Sequence, residues 1–320
     1  MSSPLWTTDL IPGQFDGDIN QRFATATIDY LKSPNRASVR MGRIVPTNRP
    51  FWKGTITTLV GNVGEVAEGI QEAPPIVPQK VKDMYVSTRL IKGVLAVSRE
   101  LMEDDAPNFN YVKDLTPKFA ERGPKFIEID FANKFLNTAT VFDATRDVRD
   151  GVALLSAVHP AGVSGYTYGN TFAGAQQALG EAGVLQAIAY YRGGIYDDAG
   201  DLTPLDVNEF ILGVHPSKEG FARQLANSLS STTDYKNSGV NNPLNDYFKV
   251  TVIALPYLTN PNMWVLTPVG KDSGLITLMR TAPQAPESIT RQNPDQMQWQ
   301  VRFRYGMFVL EPRYFFASTP

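Results

Sequence analysis

Leu154–Pro216 reads LLSAVHPAGVSGYTYGNTFAGAQQALGEAGVLQAIAYYRGGIYDDAGDLTPLDVNEFILGVHP. Within it, LGEAGVLQAIAYYRGG places Leu179, Val184, Leu185, Ile188 and Tyr191 at helical spacing, which predicts a helix that Gly193–Gly194 stops. DDAGD, with Asp197, Asp198, Gly200 and Asp201, reads as a turn. NEFILGV is a short buried strand. Both histidines of the chain, His159 and His215, fall in the block, each before a proline. A residue before proline is pushed to extended geometry, so both mark loop entries or strand ends. Downstream, SKEGFARQLANSL is a second helix with Ser217 as its N-cap. FKVTVIALPYL is a strand that stops at Pro256. Residues 150–262 thus read as a mixed α/β domain.

Upstream lies a long helix, over 107–137. Val112, Leu115, Phe119, Gly123, Ile127, Phe131 and Phe135 form a stripe at spacings of three and four. Thr116–Pro117 suits an N-cap and first helical position. Gly123–Pro124 predicts a kink or two consecutive helices. Phe126 lies off the stripe, which predicts burial on more than one face. The acidic run Glu103–Asn108 suits a helix N-terminus.

Residues 51–101 read as a long two-stranded β excursion. FWKGTITTLVGNVG is rich in β-branched residues, and EAPPIVPQK cannot continue a central strand. VKDMYVSTRLIKGVLAVS then alternates, Met84, Val86, Thr88 and Leu90 against Tyr85, Ser87 and Arg89. Such an excursion is marginal alone in water and makes sense lying across a neighbouring subunit. Residues 1–50, broken by five prolines, read as an extended arm with a short helical stretch around Asp18–Leu31.

At the C-terminal end NMWVLTP and GLITLMR are strands. MQWQVRFRY alternates strictly, with Met297, Trp299, Val301, Phe303 and Tyr305 on a buried face and Gln298, Gln300, Arg302 and Arg304 on a wet one. After Gly306, MFVLEPRYFFAS reads as a further strand.

Charge is balanced overall, 30 basic against 32 acidic residues. That argues against a surface clamped everywhere on nucleic acid. Locally it is segregated. Lys32, Arg36, Arg40, Arg43, Arg49 and Lys53 fall in a window without an acid, and Glu65, Glu68 and Glu72 follow without a base. Arg36, Arg40, Arg43, Arg49, Lys53, Glu65, Glu68 and Glu72 are therefore candidates for inter-subunit contact. The alternatives are a solvated arm and an arm facing nucleic-acid phosphates.

The chain has 320 residues, 42% of them hydrophobic, and no cysteine. Disulfides, thiolate metal sites and cysteine nucleophiles are excluded. MSSPLWTTDL lacks the pattern of a signal peptide, and no apolar run approaches the roughly 20 residues of a membrane span. The expectation is a protein made and used in the cytoplasm. No metal-binding histidine spacing, Walker sequence or nucleophile elbow occurs. DDAGD lacks the ligand spacing and closing glutamate of a calcium loop. No catalytic, metal or cofactor residue is assigned.

The Leu154–Pro216 block resembles the major head subunits of Mu-like tailed phages. The resemblance rests on Leu154, Leu155, Ser156, His159, Pro160, Asn170, Ala178, Leu179, Asp197, Gly200 and Pro216, with Leu155 where the family has phenylalanine. ALPYLTNPNMWVL and RFRYGMFVLEPRYF are similar to later family segments. By motif it covers roughly residues 100–320, and before that the layout alone. It implies an α+β, Hong Kong 97-like capsid fold: N-terminal arm over 1–50, extended loop (β hairpin) over 51–101, peripheral domain with spine helix over 102–149, axial α/β domain over 150–262 and peripheral β strands over 263–320.

The resemblance further implies self-assembly into hexamers and pentamers of an icosahedral head enclosing double-stranded DNA, built in the host cytoplasm, with portal, scaffolding and decoration proteins as further partners. No cofactor is expected. The alternatives are a bacterial compartment shell of the same fold, a tail-tube subunit, and an enzyme with an unrecognised site. Deleting residues 55–90 is expected to leave a soluble fold that cannot assemble.

Overall fold

The computed structural model describes residues 37–60, 76–98, 100, 110–137, 143, 147–162, 165–172, 176–228, 242–269, 274–281, 287–289 and 296–320. Arg36, the Asp18–Leu31 stretch, Glu65, Glu68, Glu72 and Glu103–Asn108 lie outside them. A short helix, α1 (Ala37–Arg40), leads into β1 (Gly42–Pro46), β2 (Phe51–Val60), β3 (Val77–Ser87) and β4 (Arg89–Ser98). Helix α2 (Asn110–Phe131) follows and closes on a π-helical turn, Ala132–Leu136. Then come β5 (His159–Pro160), β6 (Thr167–Tyr168), α3 (Glu181–Gly193), β7 (Glu209–Val214), α4 (Glu219–Asn227), α5 (Pro243–Asp246) and β8 (Lys249–Ala254). The chain ends with β9 (Trp264–Pro268), β10 (Leu275–Thr281), β11 (Glu287–Ile289), β12 (Gln296–Val309) and β13 (Phe316–Ser318).

Two sheets organise the molecule. In the first, β12 is central, with β10 and β11 along one edge, β4 along the other, and β1 parallel to β10. In the second the order is β13-β9-β7-β8. The α2 stripe seals them together. Ile127, Phe131 and Phe135 share one core with Phe303 and Tyr305 of the first sheet and Ile211, Ile253 and Val265 of the second. On the other face of the second sheet, Phe210, Leu212, Trp264, Leu266 and Phe316 pack against Val184, Ile188 and Tyr191 of α3. Covered on both faces, β7 and β9 are apolar almost throughout, as buried strands must be.

The structure corrects several expectations. VKDMYVSTRLIKGVLAVS is two strands, because the chain turns at Thr88, whose N–H and Oγ1 donate to Pro50 O at 2.9 and 3.0 Å. β3 pairs with β2, whereas β4 pairs with β12 over Arg89–Ser98. Residues 263–320 are not one set of strands either: β9 and β13 belong to the β7–β8 sheet. β1, inside the expected arm, is a strand of the first sheet. Gly306 does not end a strand; β12 runs through it to Val309. A Cβ there would stand 3.1 Å from Ser87 O, so glycine serves close approach of the β3 end.

Thr116–Pro117 does not start α2, which begins at Asn110, and Gly123–Pro124 does not divide it. Glycine before the proline has no Cβ to clash with the pyrrolidine ring. The loss reduces to one backbone hydrogen bond, which the buried stripe outweighs. The irregularity comes later, at the π turn. Phe126 is 40% exposed rather than buried, with its ring edge-on to Tyr305 at 6.4 Å. Ser217 is not a cap. Instead His215 Nδ1 accepts from Ser217 N at 3.2 Å, capping the 3-10 turn Pro216–Lys218 that precedes α4.

Candidate assembly surfaces and the buried polar joint

The β2–β3 hairpin is anchored mainly at its base, and midway along it Val81 Cγ1 lies beside Gly162, 3.1 Å from where a Cβ on that glycine would stand. Its register runs from Phe51↔Ser87 to Val60↔Val77, with an irregularity at Ile56/Thr57. At the base Trp52 lies on Phe308, ring centroids 4.9 Å apart. Met84 and Val86 are buried with Ile276, Leu278 and Phe308. The opposite side of the base carries a stacked pair, Phe51 and Tyr85, at 5.1 Å, 38% and 49% exposed. Lys53 stands directly across from Tyr85. Beyond the base the ribbon is only half-buried at best. Exposed aromatic rings beside a cation are the composition of interface anchors.

The other described sequence candidates are Arg40, Arg43 and Arg49. Arg40 ends α1, Arg43 lies on β1, and Arg49 sits in the connection to β2; all three and Lys53 are exposed. Among the described residues none of the four forms an ion pair with a carboxylate. They sit on α1, β1, the connection after it and β2.

Three further cations were missed as a group. Lys92, Arg302 and Arg304 share the face of the first sheet that points away from α2, with Lys92 opposite Arg302 and Leu90 opposite Arg304. The strict alternation of MQWQVRFRY already placed Arg302 and Arg304 on a wet face. The pairing of β4, which adds Lys92, could not be read from it.

The Leu154–Pro216 block supplies a buried polar joint. Asp198 of DDAGD accepts from Arg149 Nη2 and from Arg313 Nη2, the latter at 2.5 Å. Arg149 Nη1 also donates to Glu311 Oε2 at 3.0 Å. All four side chains are largely buried, and Arg313 stacks over the Tyr168 ring at 4.8 Å. Two cations thus balance two anions. The turn itself is ordinary: Asp197 Oδ1 accepts from Ala199 N and Asp201 N at 2.8 and 2.9 Å, and Gly200 has φ of 93°. His159 is fully buried, with Nδ1 2.5 Å from Asp150 Oδ2 and its ring stacked on Tyr168 at 5.1 Å. It opens β5, a strand end as its position before proline suggested, and its side chain is buried inside the fold.

Asn170 completes the joint. Its Nδ2 donates to Leu154 O and Pro312 O at 2.5 and 3.1 Å, and its Oδ1 accepts from Ser156 N at 2.9 Å. Asn170→Ala strands three buried backbone groups, so a loss of about 1–3 kcal/mol is expected in urea unfolding. A loss near zero would show that the segments hold without it.

Burial pushes the Glu311 carboxyl above the usual carboxylate value, against the pull of Arg149 and Arg313. A carboxyl raised on folding contributes stability that is complete below its unfolded value of 4.5 and is lost as pH rises through the folded one. Glu311→Gln is therefore expected to remove that decline from a series of urea melts run upward from pH 4.5. An unchanged slope would place the decline elsewhere.

A family model described as phage capsid protein matches residues 85–318. The chain belongs to the phage capsid protein family. No curated protein sequence matches it. Among solved structures it is similar to the virus-like particle from Pyrococcus furiosus, at 11% identity over 93% of this chain and 98% of that one, with a TM-score of 0.53. It is similar also to Microbacterium phage Oxtober96, at 12% identity over 90% and 92%, TM-score 0.53. The capsid of Myoviridae Phage XM1 matches at 13% identity over 87% and 90%, TM-score 0.51. The fold is the α+β, Hong Kong 97-like capsid fold, and the chain is a capsid shell protein.

Proposed function

We propose that the chain is the major head subunit of a tailed phage, assembling with itself into hexamers and pentamers of an icosahedral shell around double-stranded DNA. The observation that carries this reading is the hairpin anchored mainly at its base, with Phe51, Tyr85 and Lys53 on its outer side. A two-stranded ribbon buries too little surface to be worth building for the free subunit. Laid across a neighbour, it joins copies. The domain built on β7, β8 and β9 surrounds the hexamer and pentamer centres. The sheet built on β12, with α2, forms the periphery. Arg36, Arg40, Arg43, Arg49, Lys53, Glu65, Glu68 and Glu72 contribute inter-subunit contacts. Portal, scaffolding and decoration proteins are further partners, and assembly takes place in the host cytoplasm.

The likeness to the Pyrococcus furiosus particle supports a second reading, a protein compartment shell of the same fold. Electron microscopy of the purified protein, with measurement of its nucleic-acid content, tests both. Closed shells or rings of five and six are expected, with DNA inside the shells of a phage infection. Shells filled with protein cargo and free of DNA favour the compartment. A stable monomer at high concentration rejects both.

A further inference from the structure

The hairpin meets the buried polar joint at one residue. β2 and β3 pair continuously from Phe51↔Ser87 to Ile56↔Lys82 and resume at Thr57↔Lys80, so Val81 is an extra residue with no partner across the ribbon. Such a bulge bends its strand and re-aims the side chain it carries. Lys80 beside it is exposed, whereas Val81 is half-buried. A Cβ on Gly162 would stand 3.1 Å from Val81 Cγ1, 3.1 Å from Asp198 Cγ and 2.7 Å from Asp198 Cβ. Val81 and Asp198 thus lie against the backbone of the same glycine, and only a residue without a side chain admits both so closely.

The joint in turn ties the two sheets together. Val148 bridges Val309, the last residue of β12, and Arg149 N donates to Val309 O at 3.0 Å. Glu311 and Arg313 lie on the link by which the chain leaves β12 in the first sheet and enters β13 in the second. Asp198 comes from the other direction. Its turn follows α3, which packs on the second sheet, and its carboxylate accepts from Arg149 and Arg313. A buried ion group of this kind holds only while its geometry is kept. What backs Asp198 therefore matters to the link between the sheets.

We propose that Val81 is a positioning residue for this joint: the bulge presses it on Gly162, the glycine backbone is held against Asp198, and Asp198 is held between its two arginines. The hairpin and the link between the sheets are then coupled through one side chain. A shift of the ribbon releases Gly162, frees Asp198 and loosens residues 309–316. Loosening the joint frees the ribbon in return, because a coupling between two sites acts equally in both directions. The device lies within one chain and is independent of what the hairpin meets outside it.

Hydrogen exchange of the unassembled, full-length subunit, followed by mass spectrometry, tests it. Val81→Ala is expected to speed exchange of the amides of residues 197–203 and 309–316 roughly fivefold, the scale on which two half-buried methyl groups act on a local opening. Val81→Ile, which keeps the branch that touches Gly162, should exchange as the parent does. So should Val77→Ala, at the far end of the ribbon. Asp198→Asn, which takes the charge out of the joint, should speed exchange at residues 79–83, and adding Val81→Ala to it should change residues 197–203 little further. Amides of β9, inside the second sheet, report opening of the whole chain. If Val81→Ala leaves residues 197–203 and 309–316 at parent rates, or speeds β9 to the same extent, Val81 does not position the joint. A change at the joint without the reciprocal change at residues 79–83 in Asp198→Asn overturns the coupling.

Discussion

Asp198→Ala is expected to cost the isolated subunit about 3–5 kcal/mol of folding free energy. Asp198 accepts from both Arg149 and Arg313 inside the protein. Truncation leaves two buried guanidiniums with only Glu311 to balance them, and an uncompensated buried cation is far costlier than a lost surface pair. The contrast exists within the same chain. The exposed pairs Arg223–Glu219 and Lys249–Glu209 are worth about 1 kcal/mol or less each. Against a total of roughly 5–15 kcal/mol for a folded domain, the Asp198 loss is large enough to leave much of the protein unfolded at physiological temperature. Asp198→Asn keeps an acceptor oxygen but loses the charge, so it should fall between parent and alanine variant. Urea unfolding of unassembled subunits reads the difference. A loss below about 1 kcal/mol for the alanine variant would mean that water reaches the arginines and that the joint is not sealed.

The second large effect concerns assembly rather than folding. Replacing residues 57–81 with Asn-Gly should abolish shells while leaving a soluble, folded subunit. The structure sets the cut. Ile56 and Lys82 are paired, so a two-residue turn of this type closes the shortened hairpin in register. Trp52, Met84 and Val86 stay in place against Phe308, Ile276 and Leu278. The wider deletion of 55–90 suggested by sequence would remove Met84 and Val86 from that core, so a failure to assemble would then be confounded with a failure to fold. For the narrower cut a melting temperature within several degrees of the parent is expected, because the ribbon lost is exposed or half-buried and the contact with the body that goes with it is that of Val81 beside Gly162. Normal shells from this variant, seen by electron microscopy, would remove the hairpin from the account of assembly.

Where the sequence spoke clearly, a local rule and a large burial agreed. The stripe from Phe119 to Phe135 placed α2 on the core because a helix lying across two sheets needs an apolar face at spacings of three and four. The alternation of MQWQVRFRY placed Val301, Phe303 and Tyr305 inside and Arg302 and Arg304 outside, because a strand has only two faces. The paired strands of the excursion were legible for the same reason. Misreadings came where the decision was not local. Thr88 looks like one more residue of an alternating strand, and only the partners of β3 and β4 show that the chain changes sheets there. Pro117 and Pro124 look like a start and a break, but a helix whose next turns are buried tolerates the loss of a backbone bond. Ser217 looks like a cap until His215 takes the position. DDAGD was correctly read as a turn, yet nothing in its spacing announced that Asp198 would meet arginines 49 residues upstream and 115 residues downstream.

The order of elements and the two periodicities, 3.6 in α2 and 2 in β12, are properties of neighbouring residues, and the amino-acid sequence determined them alone. With them came the separation of a basic window from an acidic one and the absence of cysteine chemistry. Which strands share a sheet, that Asp198 sits between two arginines, and that Lys92 joins Arg302 and Arg304 on one exposed face are relations between residues far apart in the chain. They depend on which distant surfaces bury the most apolar area together, and only the tertiary structure decided that.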